Sequence, residues 1–353
     1  MNKIESFTIY NLWERKVTDI DLNENVTFLL GYNGSGKSTV LNILFDTLSK
    51  EYYSTSKHRF WACTVRFSDG SYMSKACLPH TQQSIDIAED LDNYVEGTVF
   101  SYEGIQAVKN AYENKLESSR YNLYESKDTG IISIEDYTGH NPIDAPFLFQ
   151  DERRCMHNMS NSSVDFDGQY WNLYGIELDQ KLIYVLDKLQ VYEARNNKLL
   201  SEQIISAKDS LNRKEIYEII KRHEESNKSL KQLFSVMNSY FKPLGKSISK
   251  DSSERLELKI NRTDERIHWY NLSRGEKTLI YLFLVTFLYK DKTSLFIFDE
   301  PDTAIHIEWQ ERLIKDLLFI APNAQFLIAT HSPALIMDGW LDNVTIMNDG
   351  DPE

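Results

Sequence analysis

A glycine-rich loop near the N-terminus carries the clearest chemistry in this chain. The segment Gly31–Thr39 reads GYNGSGKST and fits the pattern G-x-x-x-x-G-K-[ST]. Glycines at these positions let backbone N–H groups turn inward around a phosphate, at the positive end of a helix. We expect Lys37 to reach the β- and γ-phosphates of a nucleoside triphosphate, and the Ser38 hydroxyl to ligate Mg²⁺. The predicted nucleotide contacts in this loop are Asn33, Gly34, Ser35, Gly36, Lys37, Ser38 and Thr39.

Two adjacent acids near the C-terminus form the second chemical feature. Asp299 and Glu300 follow the apolar run Leu295–Phe298, which is typical of a central parallel strand covered on both faces. Ligands of doubly wound sheets bind at the carboxyl ends of such strands. We expect Asp299 to hold Mg²⁺ through a water, and Glu300 to polarise the water that attacks the terminal phosphate. Two acids that merely cap a strand are the alternative, which the phosphate-binding loop disfavours.

The elements that must position these residues are visible as periodic patterns. The apolar run Val26–Leu30 precedes the loop, and apolar residues recur behind it at helical spacing, so residues 1–50 predict strand, strand, loop and helix. Alternation over 60–77, around the turn Ser68–Gly70, predicts a β-hairpin. Residues 104–124 have a helical pattern, and Phe147–Phe149 predicts a short buried strand.

The segment 177–241 has a different pattern. Leu178, Leu182, Val185 and Leu189 recur at helical spacing, and no proline occurs in the segment before Pro243. Lysine and glutamate are frequent at its other positions. This predicts a helical hairpin, or a bundle of two or three helices, inserted into an α/β core.

Composition bounds the class of protein. The 353 residues suffice for one large α/β domain with an insertion or for two domains. The net charge of −14 argues against broad coating of nucleic acid, although Lys57–Arg59 or Arg153-Arg154 could form a local basic patch. We expect a cytoplasmic protein with reduced cysteines, since the three cysteines lack metal spacing and neither a signal peptide nor a membrane-spanning run is visible.

Two further segments identify a family resemblance. Ser273-Arg274-Gly275-Glu276 opens an apolar helical run, and Ala329–Pro333 reads ATHSP after a strand-like run. With the loop and the acids, this order resembles the ATP-binding-cassette ATPases, in their SMC-, RecF- and OLD-like group. The segment Asp299–His306, DEPDTAIH, is most similar to ATPases of bacterial anti-phage systems of the OLD, Septu, PARIS or retron-associated type.

The resemblance implies a fold and a set of roles. The fold is α/β, a P-loop NTPase of the ABC-ATPase type in which helices flank a mixed sheet and an α-helical arm is inserted. The implied division is a first ATPase lobe over 1–155, the arm over 156–245 and a second lobe over 246–353. His331 would sense the γ-phosphate, Ser273 and Gly275 would hold the phosphate bound by another subunit, and Gln150 would contact Mg²⁺ and the attacking water.

Some positions depart from the family pattern or carry little support. Arg274 replaces a small residue, and His306 stands where an aspartate would act across the subunit interface. Only its position after the short strand supports Gln150. Trp13 or Tyr10 could stack on adenine, although a core aromatic is the more ordinary role.

The predicted activity is hydrolysis of ATP to ADP and phosphate, with ATP and Mg²⁺ as cofactors. The predicted catalytic residues are Glu300, His331 and Lys37. The predicted metal ligands are Ser38 and Asp299. The predicted assembly is a homodimer or larger homo-oligomer with ATP between its heads, which regulates a separate nuclease or toxin in anti-phage defence. DNA is a further candidate partner and a membrane is not. Two alternatives stay open, namely a RecF- or SMC-like DNA-repair clamp and a non-catalytic scaffold joined by ATP.

Overall fold

A five-stranded parallel sheet holds the predicted site. The computed structural model describes residues 3–12, 15–48, 61–79, 122–126, 131–138, 146–150, 178–209, 213–251, 255–293 and 295–347. The strands of this sheet are β3 (Val26–Leu30), β8 (Phe147–Gln150), β12 (Leu295–Asp299), β13 (Gln325–Ala329) and β14 (Val344–Ile346). Their spatial order is β14-β3-β13-β12-β8, so the N-terminal strand β3 lies between two strands from the C-terminal part of the chain.

Both faces of this sheet are covered, which explains its continuous apolar strands. In β12, Phe296 and Phe298 belong to one hydrophobic cluster and Leu295 and Ile297 belong to another. The alternation of side chains along a strand sends neighbours to opposite faces. All four are fully buried, as predicted for a central parallel strand.

A second, antiparallel sheet covers one face together with the helix that follows the loop. Its strands are β1 (Ile4–Leu12), β2 (Arg15–Asp21), β4 (Trp61–Phe67), β5 (Tyr72–Pro79), β6 (Asn122–Ser126) and β7 (Ile131–Thr138), and helix α1 spans Lys37–Leu48. Their spatial order is β2-β1-β4-β5-β7-β6. The predicted hairpin is confirmed as β4 and β5, whose turn contains Gly70 at φ 80°.

Two details of the predicted elements are wrong. Three strands precede the loop helix instead of two, because β1 and β2 pair as a hairpin before β3 begins. The helical pattern over 104–124 ends in β6, which starts at Asn122 and pairs with β7. Residues 104–121 lie outside the described residues, as do Trp13, the side chain of Tyr10 and both candidate basic runs.

Helices cover the other face of the parallel sheet. They are named in chain order α2 (Leu178–Asp209), α3 (Arg213–Phe241), α4 (Arg274–Tyr289), α5 (Ile307–Ile320) and α6 (Ala334–Met337). Helix α4 is buried almost all round, because it lies between the sheet and the base of the α2–α3 pair. No helix among the described ranges is both long and apolar enough to cross a membrane.

The predicted arm is a hairpin of two long helices, α2 and α3. Its base is buried, with Leu182 and Val185 in the core beside α4, whereas Val191, Ile205 and Tyr217 beyond it are more than 60 % exposed. A small sheet of β9 (Lys246–Lys250), β10 (Leu256–Ile260) and β11 (Arg266–Ile267) follows α3. The predicted fold class is confirmed, and the three-part division of the chain stays a prediction.

Candidate active site

The glycine-rich loop forms a cradle between β3 and α1. Gly34 and Gly36 have φ values of 87° and 93°, in the left-handed region that side chains with a Cβ disfavour. A Cβ on Gly31 would lie 2.5 Å from Ser35 Oγ and 2.9 Å from the carbonyl oxygen of Met347. The loop lines a cleft of about 1110 Å³, whose other lining residues include Glu300, Thr330 and His331. These glycines let the backbone approach an anion closely.

Lys37 links the loop to the far end of the chain. Its side chain is buried, and its ammonium donates to the carbonyl oxygens of Gly31 (2.9 Å) and Tyr32 (3.2 Å). The ammonium also lies 2.9 Å from Nε2 of His331. Because an ammonium can only donate, Nε2 accepts and the ring proton is on Nδ1. A phosphate that recruits Lys37 would therefore compete with His331 for this donor.

Glu300 lies at a sharp turn beyond β12. Its φ is 51°, and its N–H donates to the carbonyl oxygen of Ala329 at 2.8 Å. A non-glycine residue in this region costs about 1–2 kcal/mol, and such strain concentrates at functional sites. The turn brings Oε1 of Glu300 to 3.7 Å from Nε2 of His331, inside the cleft. The carboxylate and the imidazole can thus act on one bound group.

Strand register brings Gln150 to Asp299. The two residues are paired at the carboxyl ends of β8 and β12, and Gln150 Nε2 donates to Asp299 Oδ2 at 3.3 Å. The same amide donates to Asn42 Oδ1 at 2.9 Å. Ser38, Asp299 and Gln150 offer a hydroxyl, a carboxylate and an amide oxygen. This donor set fits Mg²⁺, which prefers oxygen ligands.

Ser273 caps helix α4, the apolar helix that the sequence predicts directly after it. Its hydroxyl accepts from the N–H of Glu276, and its own N–H donates to Glu276 Oε2 at 2.9 Å. Lys246 donates to the other carboxylate oxygen at 2.6 Å. Burial raises the pKa of Glu276, but the bonds from Lys246 and Ser273 outweigh burial and bring that pKa below its usual value. The carboxylate is therefore ionised at neutral pH and holds the helix start in place.

Gly275 has a packing role that its motif did not reveal. A Cβ at this position would lie 2.2 Å from the carbonyl oxygen of Ala304, in the segment between Glu300 and α5. Ser273 and Gly275 do not line the cleft around Lys37 of their own chain. Their predicted contact with a phosphate bound by another subunit stays a prediction.

The structure adds residues that the sequence analysis missed. Asn42 contacts Gln150, and Thr330 lines the cleft beside His331. No sequence pattern around Asn42 predicts this contact, because it forms only when β8 packs beside α1. Thr330 belongs to the ATHSP segment, where its proximity to His331 was the available clue.

Arg274 and His306, the two positions that depart from the family pattern, are both exposed, at the starts of α4 and α5.

Comparisons with known proteins identify the family and relatives of this chain. A family model described as an AAA ATPase domain matches residues 2–336. The chain is 21% identical over 392 residues to the Retron Ec83 probable ATPase of Escherichia coli, covering 97% of this chain and 70% of that protein. It is 21% identical over 334 residues to the Septu protein PtuA of Bacillus thuringiensis, covering 90% and 68%. These relatives confirm the predicted resemblance to ATPases of the retron and Septu type.

A solved structure is also similar. The Smc head domain of Pyrococcus furiosus, with an extended coiled coil and bound to the C-terminal domain of ScpA, aligns with a TM-score of 0.47 at 14% identity. The alignment covers 96% of this chain and 92% of that one.

Proposed function

Because the chain belongs to the family of AAA ATPase domains, we propose that it binds ATP with Mg²⁺ in the cleft beside Lys37 and hydrolyses the bond between the β- and γ-phosphates, giving ADP and phosphate. One observation carries this proposal. Lys37 and His331 are 294 positions apart in the sequence, yet their side chains lie 2.9 Å apart, with Glu300 Oε1 3.7 Å from the same imidazole nitrogen. A cation, a carboxylate and an imidazole around one phosphate-sized cradle suit phosphoryl transfer to water.

Each residue has a distinct task in this proposal. Lys37 leaves His331 and donates to the terminal phosphates, which frees the imidazole to contact the γ-phosphate. Glu300 accepts a proton from the attacking water, as a general base. Ser38, Asp299 and Gln150 would hold Mg²⁺. When bound, Mg²⁺ supplies positive charge to the phosphate oxygens.

Two variants test this assignment. Lys37→Ala should lose ATP affinity by at least tenfold in calorimetry, because it removes the buried ammonium from the loop. Glu300→Gln keeps the shape of the side chain but not its basicity, so it should bind ATP normally and hydrolyse it about 10²–10⁴-fold more slowly. Lys198→Ala is the control, since Lys198 is 77% exposed on the arm. Wild-type turnover in Glu300→Gln would assign the base elsewhere.

We further propose that the active unit contains at least two copies with shared sites. Ser273 is exposed at the start of α4 and does not line its own cleft, so its natural ligand is a phosphate held by another copy. Ser273→Arg should bind ATP but not hydrolyse it. A mixture of Ser273→Arg and Lys37→Ala subunits contains one intact combination per pair and should regain part of the activity. A mixture no more active than either variant, with association intact, would contradict shared sites.

The relatives support a role in anti-phage defence for this chain. One is named a retron ATPase and the other a Septu protein, so we propose that the ATPase controls a separate effector, a nuclease or toxin. The exposed apolar residues Val191, Ile205 and Tyr217 make the outer arm the proposed contact surface. Protection against phage should require both the effector and Lys37. Protection that persists in Lys37→Ala would separate defence from nucleotide binding.

A further inference from the structure

His331 lies between two residues that both bind the segment following Glu300. Thr330 Oγ1 donates to Asp302 Oδ1 at 2.6 Å. On the other side of the histidine, Ser332 Oγ donates to Gln310 Oε1 at 2.5 Å. The residues on both sides of the histidine therefore donate hydrogen bonds to the segment over 302–310. Neither bond belongs to the strand and helix hydrogen bonding of the fold.

The two bonds are connected through Gln310 and Thr330. Gln310 Nε2 donates to the carbonyl oxygens of Asp302 (3.2 Å) and Ile305 (2.7 Å). Thr330 Oγ1 also accepts from the N–H of Ser332 at 2.9 Å. One amide side chain therefore fixes the segment over 302–305, and one hydroxyl fixes the backbone around His331. The result is a closed network between the end of β13 and the start of α5.

Because the network is buried, the loss of any one of its hydrogen bonds is costly. Thr330 is fully buried and Gln310 is 9 % exposed, so a polar atom that lost its partner here would cost about 1–3 kcal/mol. Burial also raises the pKa of Asp302. Smaller effects on that pKa come from the Thr330 bond and His331, which lower it, and from Glu300, which raises it. Asp302 thus lies within electrostatic reach of both Glu300 and His331.

We infer that Thr330 and Gln310 are positioning residues, which set the imidazole of His331 against the carboxylate of Glu300 through Asp302 and Ser332. This inference rests on the proposed ATPase function. The segment that carries Glu300 continues directly into Asp302, so a shift of either partner changes the 3.7 Å separation of carboxylate and imidazole. Besides its contact with His331, Lys37 donates to the carbonyl oxygens of Gly31 and Tyr32 in the glycine loop, and neither belongs to the network. Loss of the network should therefore lower the rate of hydrolysis more than the affinity for ATP.

Three substitutions separate a positioning role from a structural one. Thr330→Val keeps the shape of the side chain but removes Oγ1, whereas Thr330→Ser keeps Oγ1. We expect kcat to fall about 10–100-fold in Thr330→Val, with the Kd for ATP within twofold of wild type, because misplacement by about 1 Å costs up to 10²-fold. Thr330→Ser should stay within threefold. Asp302→Ala removes the acceptor of the Thr330 bond and should lower kcat as Thr330→Val does, so the inference remains testable if the Thr330→Val chain fails to fold.

A second measurement does not depend on hydrolysis. Imidazole ¹⁵N shifts of His331 in the nucleotide-free protein, assigned with His331→Asn, should report Nε2 as the acceptor in wild type and Thr330→Ser. They should change in Thr330→Val. Wild-type spectra and kcat in Thr330→Val would overturn the inference, as would a loss confined to ATP affinity, which would make Thr330 a binding residue. A wild-type protein with no ATPase activity would instead contradict the proposed function, and the spectra would still test the positioning role.

Discussion

Replacing Gly275 by alanine should impair hydrolysis without weakening the binding of ATP. The added Cβ would lie 2.2 Å from the carbonyl oxygen of Ala304 and 3.1 Å from its carbonyl carbon. Both atoms are backbone, so no side-chain rotation relieves the clash. The carbonyl must retreat by about 0.8 Å to reach the 3.0 Å that real Cβ contacts almost never undercut. That carbonyl belongs to the segment between Glu300 and α5.

The size of the effect follows from two opposing contributions. Overpacking of this kind costs about 1–3 kcal/mol. The better helix propensity of alanine over glycine returns up to about 1 kcal/mol within α4. We therefore expect Gly275→Ala to lose about 1–2 kcal/mol in the free energy of unfolding. Because Glu300 shares the displaced segment and Lys37 does not, kcat should fall at least tenfold while the Kd for ATP stays within twofold.

Urea unfolding, calorimetry with ATP and a steady-state ATPase assay measure these three quantities. Gly245→Ala is the matched control, because Gly245 has φ 70° and no atom within 4 Å of the added Cβ. It should lose a similar 1–2 kcal/mol through backbone strain alone and keep its kcat. If Gly275→Ala matched the wild type in both stability and kcat, the packing of α4 against Ala304 would not be the reason for the glycine.

Three further predictions test other parts of the structure. The ionised Glu276 stabilises the fold above the unfolded-state pKa of about 4.3, because its pKa is lower in the folded protein, and this stabilisation is lost as pH falls through the folded-state pKa. Lys246→Met should therefore lower the free energy of unfolding in urea by about 1 kcal/mol at pH 7 and by progressively less towards pH 3. Lys198→Met should cost nothing at either pH, since that side chain is exposed. Gly31→Ala should weaken ATP binding in calorimetry, because its Cβ would collide with the loop, and unchanged affinity would refute the cradle. Burial raises the pKa of Cys63 to about 12, so mass spectrometry should find it unlabelled by iodoacetamide at pH 8 in the native protein and labelled in urea.

Local patterns in the sequence predict those parts of the site whose residues are close together along the chain. The loop of Gly31–Thr39 needs only glycines at fixed offsets between a strand and a helix, so spacing predicted it. Asp299 and Glu300 follow four consecutive apolar residues. This run predicts a covered strand and therefore places the two acids at its carboxyl end. The two arm helices follow from apolar residues at helical spacing. Each of these signals comes from residues that are close together in the sequence.

Contacts between residues that are distant in the sequence depend on the tertiary structure. Gln150 contacts Asp299 because β8 pairs with β12 in one register, and a slip by one residue would turn its side chain to the other face. The contact between Lys37 and His331 depends on β3 lying beside β13. The need for glycine at position 275 arises because α4 packs closely against the backbone of Ala304. The end of the 104–124 pattern was wrong for the same reason, since pairing with β7 makes Asn122–Ser126 a strand. Strand order, register and approach distance are set by packing over the whole chain, so no local pattern records them.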